Sequence, residues 1–265
     1  MPHNNPATLL EPVIDLSKEA ADKILEIYNS GFDINRKDDS TPVTTADLAA
    51  HMCIVEGLKK LTPALPILSE ESTNIPFSER KTWETYWLVD PLDGTREFIK
   101  RNGEFTVNIA LIHNHEVILG VVYIPISGVC YFASKNSGAF KIEGDKREQI
   151  HVTKNATNKI RVASSRSHAK NSLDHFLQEI GDHELVFMGS SIKSCLVAEG
   201  TVDVYPRLGP TSEWDTAAAQ CVVEEAGGYL TDTQMNKLCY NTKESLLNPE
   251  FFVFGNNSVD WSKFL

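Results

Sequence analysis

Four short apolar runs follow one another between residues 106 and 142, and they restrict the fold of this chain more than any other feature. They occupy residues 106–112, 117–124, 129–133 and 139–142. Most are rich in β-branched and aromatic residues, and turn residues such as those of 125–128 separate them. Consecutive strands joined by short turns pair with their neighbours, so this stretch predicts an antiparallel meander.

Helical and strand signals flank the meander on both sides. Before it, apolar spacing predicts helices over 13–28 and 46–61 and strands over 65–68 and 83–90. After about residue 155, short strands alternate with helices, which is typical of α/β folds. We therefore expect an α+β N-terminal part over 1–155 and an α/β C-terminal part over 156–265.

Composition excludes several classes of protein. Of the 265 residues, 42% are hydrophobic, which is enough for a sizeable core. A net charge of −11 argues against a dedicated nucleic-acid-binding module, because such modules carry a basic surface. Neither a secretory signal nor a transmembrane stretch is visible, and the five cysteines contain no C-x-x-C pair. We expect free thiols in the cytoplasm, with peripheral contact at the cytoplasmic face of the inner membrane left open.

The strand over 83–90 runs into the segment Asp-Pro-Leu-Asp-Gly-Thr at 90–95. Pro91 favours an extended Asp90, so the strand should end with this carboxylate exposed at its tip. Asp90 and Asp93 can converge on one point, and carboxylates are the ligands that magnesium prefers. The backbone amides of Gly94 and Thr95 can donate hydrogen bonds to a phosphate. An Asx turn followed by a capped helix would give a similar string, and the segment alone does not decide between the two.

Three more carboxylates stand at the ends of predicted elements. Asp47 lies in a first helical turn, Glu70 follows a strand, and Asp215 begins an alanine-rich helix. Each alone is compatible with capping. Taken together with Asp90 and Asp93, they resemble a multi-metal site of the kind that clamps attacking and leaving oxygens. For the remaining acidic neighbours we keep a capping or surface role; they are Glu71, Glu213, Glu224 and Glu225.

Four ordered blocks carry a family resemblance. They lie at 42–47, 68–72, 87–95 and 213–218, and together they resemble the inositol monophosphatase superfamily. Within it, the chain is similar to the bacterial 3′(2′),5′-bisphosphate nucleotidases. The segments that carry this second similarity are 96–99, 165–168, 189–193, 196–200, 205–207 and 241–249. The resemblance implies a layered αβαβα sandwich of the inositol monophosphatase and fructose-1,6-bisphosphatase type.

The resemblance also implies a metal site of two magnesium ions, with a third and weaker one. The ligands of the first would be Glu70, Asp90 and the Leu92 carbonyl, and those of the second Asp90, Asp93 and Asp215. The third ion would use Glu70 and Asp47. Thr95 with Asp47, assisted by Glu70, would orient and deprotonate the attacking water.

The substrate residues implied by the resemblance lie in both parts of the chain. Lys193 and Arg207 would pair with a second, non-scissile phosphate, and Ser190 and Tyr205 would border an adenosine. The amides of Gly94 and Thr95 would hold the scissile phosphate. The full expected set of substrate contacts is Glu70, Leu92, Asp93, Gly94, Thr95, Ser190, Lys193, Tyr205, Arg207 and Asp215.

The expected reaction is hydrolysis of the 3′-phosphate of adenosine 3′,5′-bisphosphate, a by-product of sulfate assimilation, to AMP and phosphate. Two alternatives stay open: an inositol or sugar phosphatase on the same scaffold, and a regulatory protein that acts through a partner such as RNA. The expected partner is a small phosphorylated nucleotide, and the sequence makes no prediction about oligomeric state.

Overall fold

The computed structural model describes residues 5–30, 34–36, 42–153, 159–165, 170–255 and 259–265. The helices are α1 (Leu10–Ser30), α2 (Thr45–Leu61), α3 (Phe77–Arg80), α4 (Thr95–Ile99), α5 (Lys170–Ile180), α6 (Ile192–Ala198) and α7 (Glu213–Glu225). The strands are β1 (Ile34–Arg36), β2 (Pro42–Thr44), β3 (Ile67–Ser69), β4 (Thr85–Asp93), β5 (Thr106–His113), β6 (Glu116–Ile124), β7 (Val129–Ser134), β8 (Ala139–Glu143), β9 (Lys146–Ile150), β10 (Ile160–Ser164), β11 (His183–Phe187), β12 (Val204–Arg207), β13 (Tyr229–Asp232) and β14 (Phe251–Phe254).

The predicted meander forms most of a seven-stranded sheet. Its strand order is β3-β4-β5-β6-β7-β8-β9, with β3 and β4 parallel and each later pair antiparallel. The antiparallel prediction is confirmed. The polar strand β9 was not predicted, because four of its five residues are charged or amide-bearing, as suits an exposed sheet edge.

A five-stranded mixed sheet lies in the second half of the chain, in the order β11-β10-β12-β14-β13. Strands β10, β11 and β12 are parallel, whereas β14 runs antiparallel to both β12 and β13. The last two strands were not predicted, since each has four residues and neither shows a clear period. The two sheets fall on either side of residue 155, which itself lies outside the described residues. The division into two domains stays a prediction.

Helices and sheets stack in five layers. Helices α1 and α2 cover one face of the seven-stranded sheet, where Ile24 and Ile54 pack with Ile109. Helices α6 and α7 lie between the two sheets. Helix α5 covers the outer face of the five-stranded sheet, where Phe176 packs on Phe252. This order confirms the αβαβα sandwich that the sequence predicted.

Helix α7 lies unusually close to the seven-stranded sheet. At Gly120 of β6, an added Cβ would lie 2.2 Å from the carbonyl oxygen of Ala218 and 2.9 Å from the Cβ of Cys221. Alanines 217, 218 and 219 present small side chains at this contact, and all are buried. The glycine and the alanine run together let the helix backbone approach the sheet, which fixes the depth at which α7 sits.

The five cysteines are free thiols, as predicted, and Cys130, Cys195 and Cys221 are buried. None of the helices in the described part of the chain is long and apolar enough to cross a membrane.

Candidate active site

The predicted carboxylates meet because their elements end at one edge of the seven-stranded sheet. Strands β3 and β4 are parallel, so Glu70, just after β3, and Asp90, near the end of β4, point to the same region. Helix α2 brings Asp47 there in its first turn, and α7 brings Asp215 in its own. The site therefore draws on both halves of the chain.

The Asp90 carboxylate is not exposed at a strand tip, as the sequence had suggested, but only 1% exposed. Strand β4 continues past Pro91 to Asp93, with a bulge in its pairing to β5 between Asp90 and Asp93. Proline has no N–H to donate to the sheet, and a bulge accommodates it. The bulge turns Asp93 toward the site, and Asp90 Oδ1 accepts a hydrogen bond of 3.1 Å from the Leu92 amide.

Glu70, Asp90 and Asp215 form a cluster that could hold a metal ion. Each offers one carboxylate oxygen, and these atoms lie within 4.8 Å of one another. Three hard oxygen donors at this spacing fit a divalent cation such as magnesium and offer none of the nitrogen or sulfur ligands that zinc usually takes. The donor set therefore fits the metal that the sequence predicted.

Burial makes this cluster costly without a cation. Burial raises the pKa of Asp90 well above its ordinary value, and the neighbouring carboxylates of Glu70 and Asp93 raise it further. The pKa of Asp215 is raised in the same way, first by burial and then by Asp93. Charged carboxylates packed this closely repel one another in a dry site. A bound divalent cation would remove that repulsion.

Asp93 is held by hydrogen bonds from the loop before α6. Its Oδ2 accepts bonds of 2.7 Å each from the Ser190 hydroxyl, the Ser191 amide and the Ser191 hydroxyl. Ser190 adopts a φ of 55°, which few residues other than glycine tolerate without support. The loop of the C-terminal half thus fixes a carboxylate of the N-terminal half.

Two buried polar residues of β5, Thr106 and Asn108, support this loop and were missed from the sequence. The Thr106 hydroxyl lies 2.6 Å from that of Ser190, and Asn108 Nδ2 donates to Ser191 Oγ at 2.8 Å. Ser191 Oγ also lies 2.7 Å from the carbonyl oxygen of Asp215. The signal was available, because Asn108 is a lone amide inside an otherwise apolar strand.

Asp47 and Thr95 form a second part of the site. Asp47 Oδ2 caps α2 by accepting from the amide and hydroxyl of Thr44, at 2.7 and 2.6 Å. Its Oδ1 accepts from the Thr95 hydroxyl at 3.1 Å. One carboxylate oxygen therefore caps the helix, while the other contacts Thr95. Burial raises the pKa of Asp47, while the bonds from Thr44 act in the opposite direction.

A cavity of about 560 Å³ opens over these groups. Its described lining includes the predicted ligands of the first two ions, together with Gly94, Thr95, Ser190, Lys193, Tyr205 and Arg207. Asp47 is not among the described lining residues and reaches the cavity through Thr95. Of the 165–168 signal, Ser165 lines the cavity, and residues 166–168 lie outside the described residues.

The two basic residues in the cavity are held differently. Lys193 is 4% exposed, donates to the Ser190 carbonyl at 2.7 Å and lies over the Tyr205 ring at 5.2 Å. Burial lowers the pKa of its ammonium to about 8. Arg207 donates through Nη2 to the Pro210 carbonyl at 2.8 Å, and its buried Nε has no partner in the described part of the chain. Both side chains lie in the wall of the cavity.

Glu213 lies in the first turn of α7, as the capping alternative predicts, but it is not at the surface. It is fully buried at the start of α7 and accepts from the Asn241 amide at 2.8 Å. Burial raises the pKa of its carboxyl, and the bond from Asn241 counteracts this. Glu224, at the other end of α7, does make the expected surface contact, with Lys237 Nζ at 3.0 Å.

A carboxylate cluster that fits a hard cation, beside basic residues in one cavity, defines a metal-dependent enzyme that acts on an anionic substrate. The chain belongs to the inositol monophosphatase family, whose sequence profile matches residues 5–255. A 3′(2′),5′-bisphosphate nucleotidase CysQ of Salmonella typhimurium is 49% identical over 247 residues, which are 92% of this chain and 99% of that protein.

Solved structures agree with this assignment. The crystal structure of CysQ from Bacteroides thetaiotaomicron matches with a TM-score of 0.81 at 41% identity, covering 92% of this chain and 96% of that one. A Thermotoga maritima IMPase matches with a TM-score of 0.80 at 26% identity, covering 96% of this chain and 95% of that one. The family and the fold predicted from the sequence are confirmed.

Proposed function

We propose that this protein is a magnesium-dependent 3′(2′),5′-bisphosphate nucleotidase that hydrolyses the 3′-phosphate of adenosine 3′,5′-bisphosphate to AMP and phosphate. The observation that carries the proposal is that Lys193 and Arg207 share one cavity with the carboxylates of Glu70, Asp90 and Asp215. A cation-binding region and a basic region suit a substrate with one phosphate to cleave and a second to hold. The 49% identical CysQ nucleotidase supports the same activity. The reaction would serve sulfate assimilation in the cytoplasm.

The proposed metal site holds two magnesium ions and a third, weaker one. The residues that would hold them are Glu70, Asp90, Asp93, Asp215, Asp47 and the Leu92 carbonyl. When bound, magnesium polarises the scissile phosphate and neutralises the charge that develops during the displacement. Ser190 and Ser191 keep the Asp93 carboxylate turned toward the cavity.

Thr95 and Asp47 are the proposed activators of the attacking water. In this proposal the Thr95 hydroxyl accepts a proton from a water molecule in the cavity while its own proton moves to Asp47 Oδ1, 3.1 Å away. A raised pKa makes Asp47 a better proton acceptor. Glu70 would assist in orienting the water. The backbone amides of Gly94 and Thr95 would donate to the scissile phosphate.

The direct test is a comparison of substrates with purified protein and magnesium. We expect kcat/KM for adenosine 3′,5′-bisphosphate to exceed that for inositol 1-phosphate by at least about 100-fold, since losing a buried charge-assisted contact costs about 1.5–3 kcal/mol and two cations contribute here. A preference for the inositol ester would instead make the protein an inositol phosphatase. Absence of activity on any phosphate ester would favour a regulatory role.

The pH dependence tests the role of Lys193. Because its pKa is lowered to about 8, Lys193 carries its charge below that pH and loses it as the pH rises through it. We expect kcat/KM for the bisphosphate to fall above a pH of about 8. Lys193→Met should remove this fall in kcat/KM at high pH. It should also raise KM about 10- to 100-fold, which corresponds to the free energy of one charged hydrogen bond.

A substrate without the second phosphate serves as the control for this prediction. For adenosine 3′-monophosphate, the same substitution should change KM by less than about threefold, because no 5′-phosphate is left for Lys193 to bind. An equal loss on both substrates would show that Lys193 supports the Ser190 loop and does not contact the second phosphate.

A further inference from the structure

The segment 241–248 carries one of the sequence signals that distinguish this chain within its family, yet it does not line the active-site cavity. Among the described lining residues, none comes from this segment. It passes beside the start of α7, where Asn248 donates from its amide to the Thr211 carbonyl at 2.8 Å, and Glu213 donates from its amide to the Leu246 carbonyl at 2.8 Å. Its contacts are therefore with the helix that carries Asp215.

Side chains strengthen this attachment at two points. Asn248 Nδ2 donates to the Ser212 carbonyl at 2.7 Å and to the Thr216 hydroxyl at 3.0 Å. The buried Glu213 carboxylate accepts from the Asn241 amide at 2.8 Å and lies 3.3 Å from Lys243 Nζ. Polar networks whose members are all hydrogen-bonded make the backbone they join more rigid.

Arg80 joins the beginning of the segment to the N-terminal half of the chain. Arg80 is 2% exposed and donates through Nη1 to Asn241 Oδ1 at 2.6 Å, while Asn241 Nδ2 donates to the Arg80 carbonyl at 2.6 Å. A second guanidinium nitrogen of Arg80 donates to the Glu244 carbonyl. Asn241 has a φ of 56°, a left-handed conformation that asparagine tolerates better than most residues. Arg80 ends α3, which lies between the two strands that deliver Glu70 and Asp90.

The orientation of Asp215 depends on the backbone that this segment holds. Asp215 Oδ2 accepts from the Ser212 amide at 2.9 Å, so one carboxylate oxygen caps its own helix. Ser212 in turn pairs with Leu247 in an isolated β-bridge. A shift of residues 211–213 would therefore turn the Asp215 carboxylate away from Glu70 and Asp90.

We propose that Glu213, Asn241 and Asn248 form an α7 clamp, whose function is to position Asp215 for metal binding. The clamp residues are positioning residues, because they act through Asp215 and the structure gives them no contact with the cavity among its described lining. This proposal rests on the proposed metal role of Asp215. It also assigns a structural cause to the 241–249 signal, which the sequence had associated with substrate choice.

The experiment measures magnesium binding by thermal shift, with activity as a second readout. Glu213→Ala and Asn248→Ala should each raise the magnesium concentration that gives the half-maximal increase in Tm by about 10-fold or more, as loss of residues that orient metal ligands commonly does. The same change should appear in the magnesium dependence of kcat. At saturating magnesium, KM for adenosine 3′,5′-bisphosphate should change less than about threefold.

Controls separate positioning from general destabilisation. Glu213→Gln keeps an oxygen that accepts from the Asn241 amide and should restore most of the magnesium affinity. Glu224→Ala, at the other end of α7, removes the ion pair with Lys237 and the hydrogen bond from Gln220, and it should leave the magnesium midpoint unchanged. If Glu213→Ala does not fold, Asn248→Ala carries the test.

The possible outcomes distinguish the clamp from the function on which it rests. A wild-type protein whose Tm does not respond to magnesium would remove the proposed function. A normal wild-type response together with unchanged magnesium midpoints in Glu213→Ala and Asn248→Ala, whatever their Tm in EDTA, would overturn the clamp alone.

Discussion

Replacement of Asp90 by asparagine should abolish turnover while leaving the fold intact. Asp90 is the most buried member of the carboxylate cluster that it forms with Glu70 and Asp215. Asparagine keeps the shape and an oxygen that can accept from the Leu92 amide, but it lacks the charge that a divalent cation needs. Bound metal commonly supplies several kcal/mol of transition-state stabilisation, and about 4 kcal/mol corresponds to roughly 1,000-fold in rate. We expect kcat to fall by at least that factor.

The same substitution should raise the stability of the metal-free protein. The pKa of Asp90 is raised in the folded state, so the folded form binds more protons than the unfolded form at intermediate pH. The free energy of unfolding then falls as the pH rises from the unfolded pKa, about 4, toward the raised one. Asparagine carries no titratable group, so the variant does not lose stability in this way as the pH rises. In EDTA, Asp90→Asn should therefore melt at a higher temperature than the wild type, and the difference should be larger at pH 8 than at pH 5.

Calorimetry or dye-based melting with and without magnesium checks both parts. The wild type should gain Tm with magnesium, and Asp90→Asn should gain little. Near-normal kcat in the variant would contradict the metal assignment. If Asp90→Asn melted below the wild type in EDTA at every pH, contacts of Asp90 other than a bound cation would be stabilising the folded protein.

The second large effect is expected at Thr95. Thr95→Val keeps the branched shape and removes the hydroxyl that faces Asp47 Oδ1. Positioned proton acceptors are commonly worth about 100- to 10,000-fold in rate. We expect kcat to fall by at least about 100-fold, while the magnesium-induced rise in Tm and KM for the bisphosphate stay close to those of the wild type. Thr95 and Asp90 are thus expected to differ in their effect on metal binding.

Thr95→Ser is the matched control, because serine restores the hydroxyl without the methyl group. Its kcat should lie within about tenfold of the wild type. Equal losses in Thr95→Val and Thr95→Ser would indicate that packing of the methyl group, and not proton transfer, is the contribution of Thr95. Measurements at saturating magnesium and substrate keep the two variants comparable.

The parts of the site that could be predicted are those encoded within a few residues. Asp90 to Thr95 sit on one strand end, and Asp47 and Asp215 sit in first helical turns, where local spacing and capping preferences are informative. Both aspartates cap their helices, and their functional roles stay predictions. At Asp47 the cap and the contact with Thr95 use different oxygens of one carboxylate.

Other features depend on partners far apart in the chain. For Glu213 the sequence predicts only a capping or surface role, because its neighbours in sequence do not reveal Asn241, which is 28 residues away and donates to its carboxylate. The prediction that Asp90 is exposed was wrong for a related reason. Strand β4 continues past Pro91 by means of a bulge in its pairing with β5. Asn108 was visible as a polar exception in a buried strand, but its link to Ser191 spans 83 residues.

The close seat of α7 on the sheet has a consequence for chemistry. Gly120 and Ala218 leave no room for even one methyl group between strand and helix. Asp215 lies in the first turn of that helix, whereas Asp90 lies in strand β4 of the sheet. The packing distance between α7 and the sheet therefore sets the spacing between two carboxylates. A larger residue at Gly120, in the core, would also change the distance between Asp90 and Asp215.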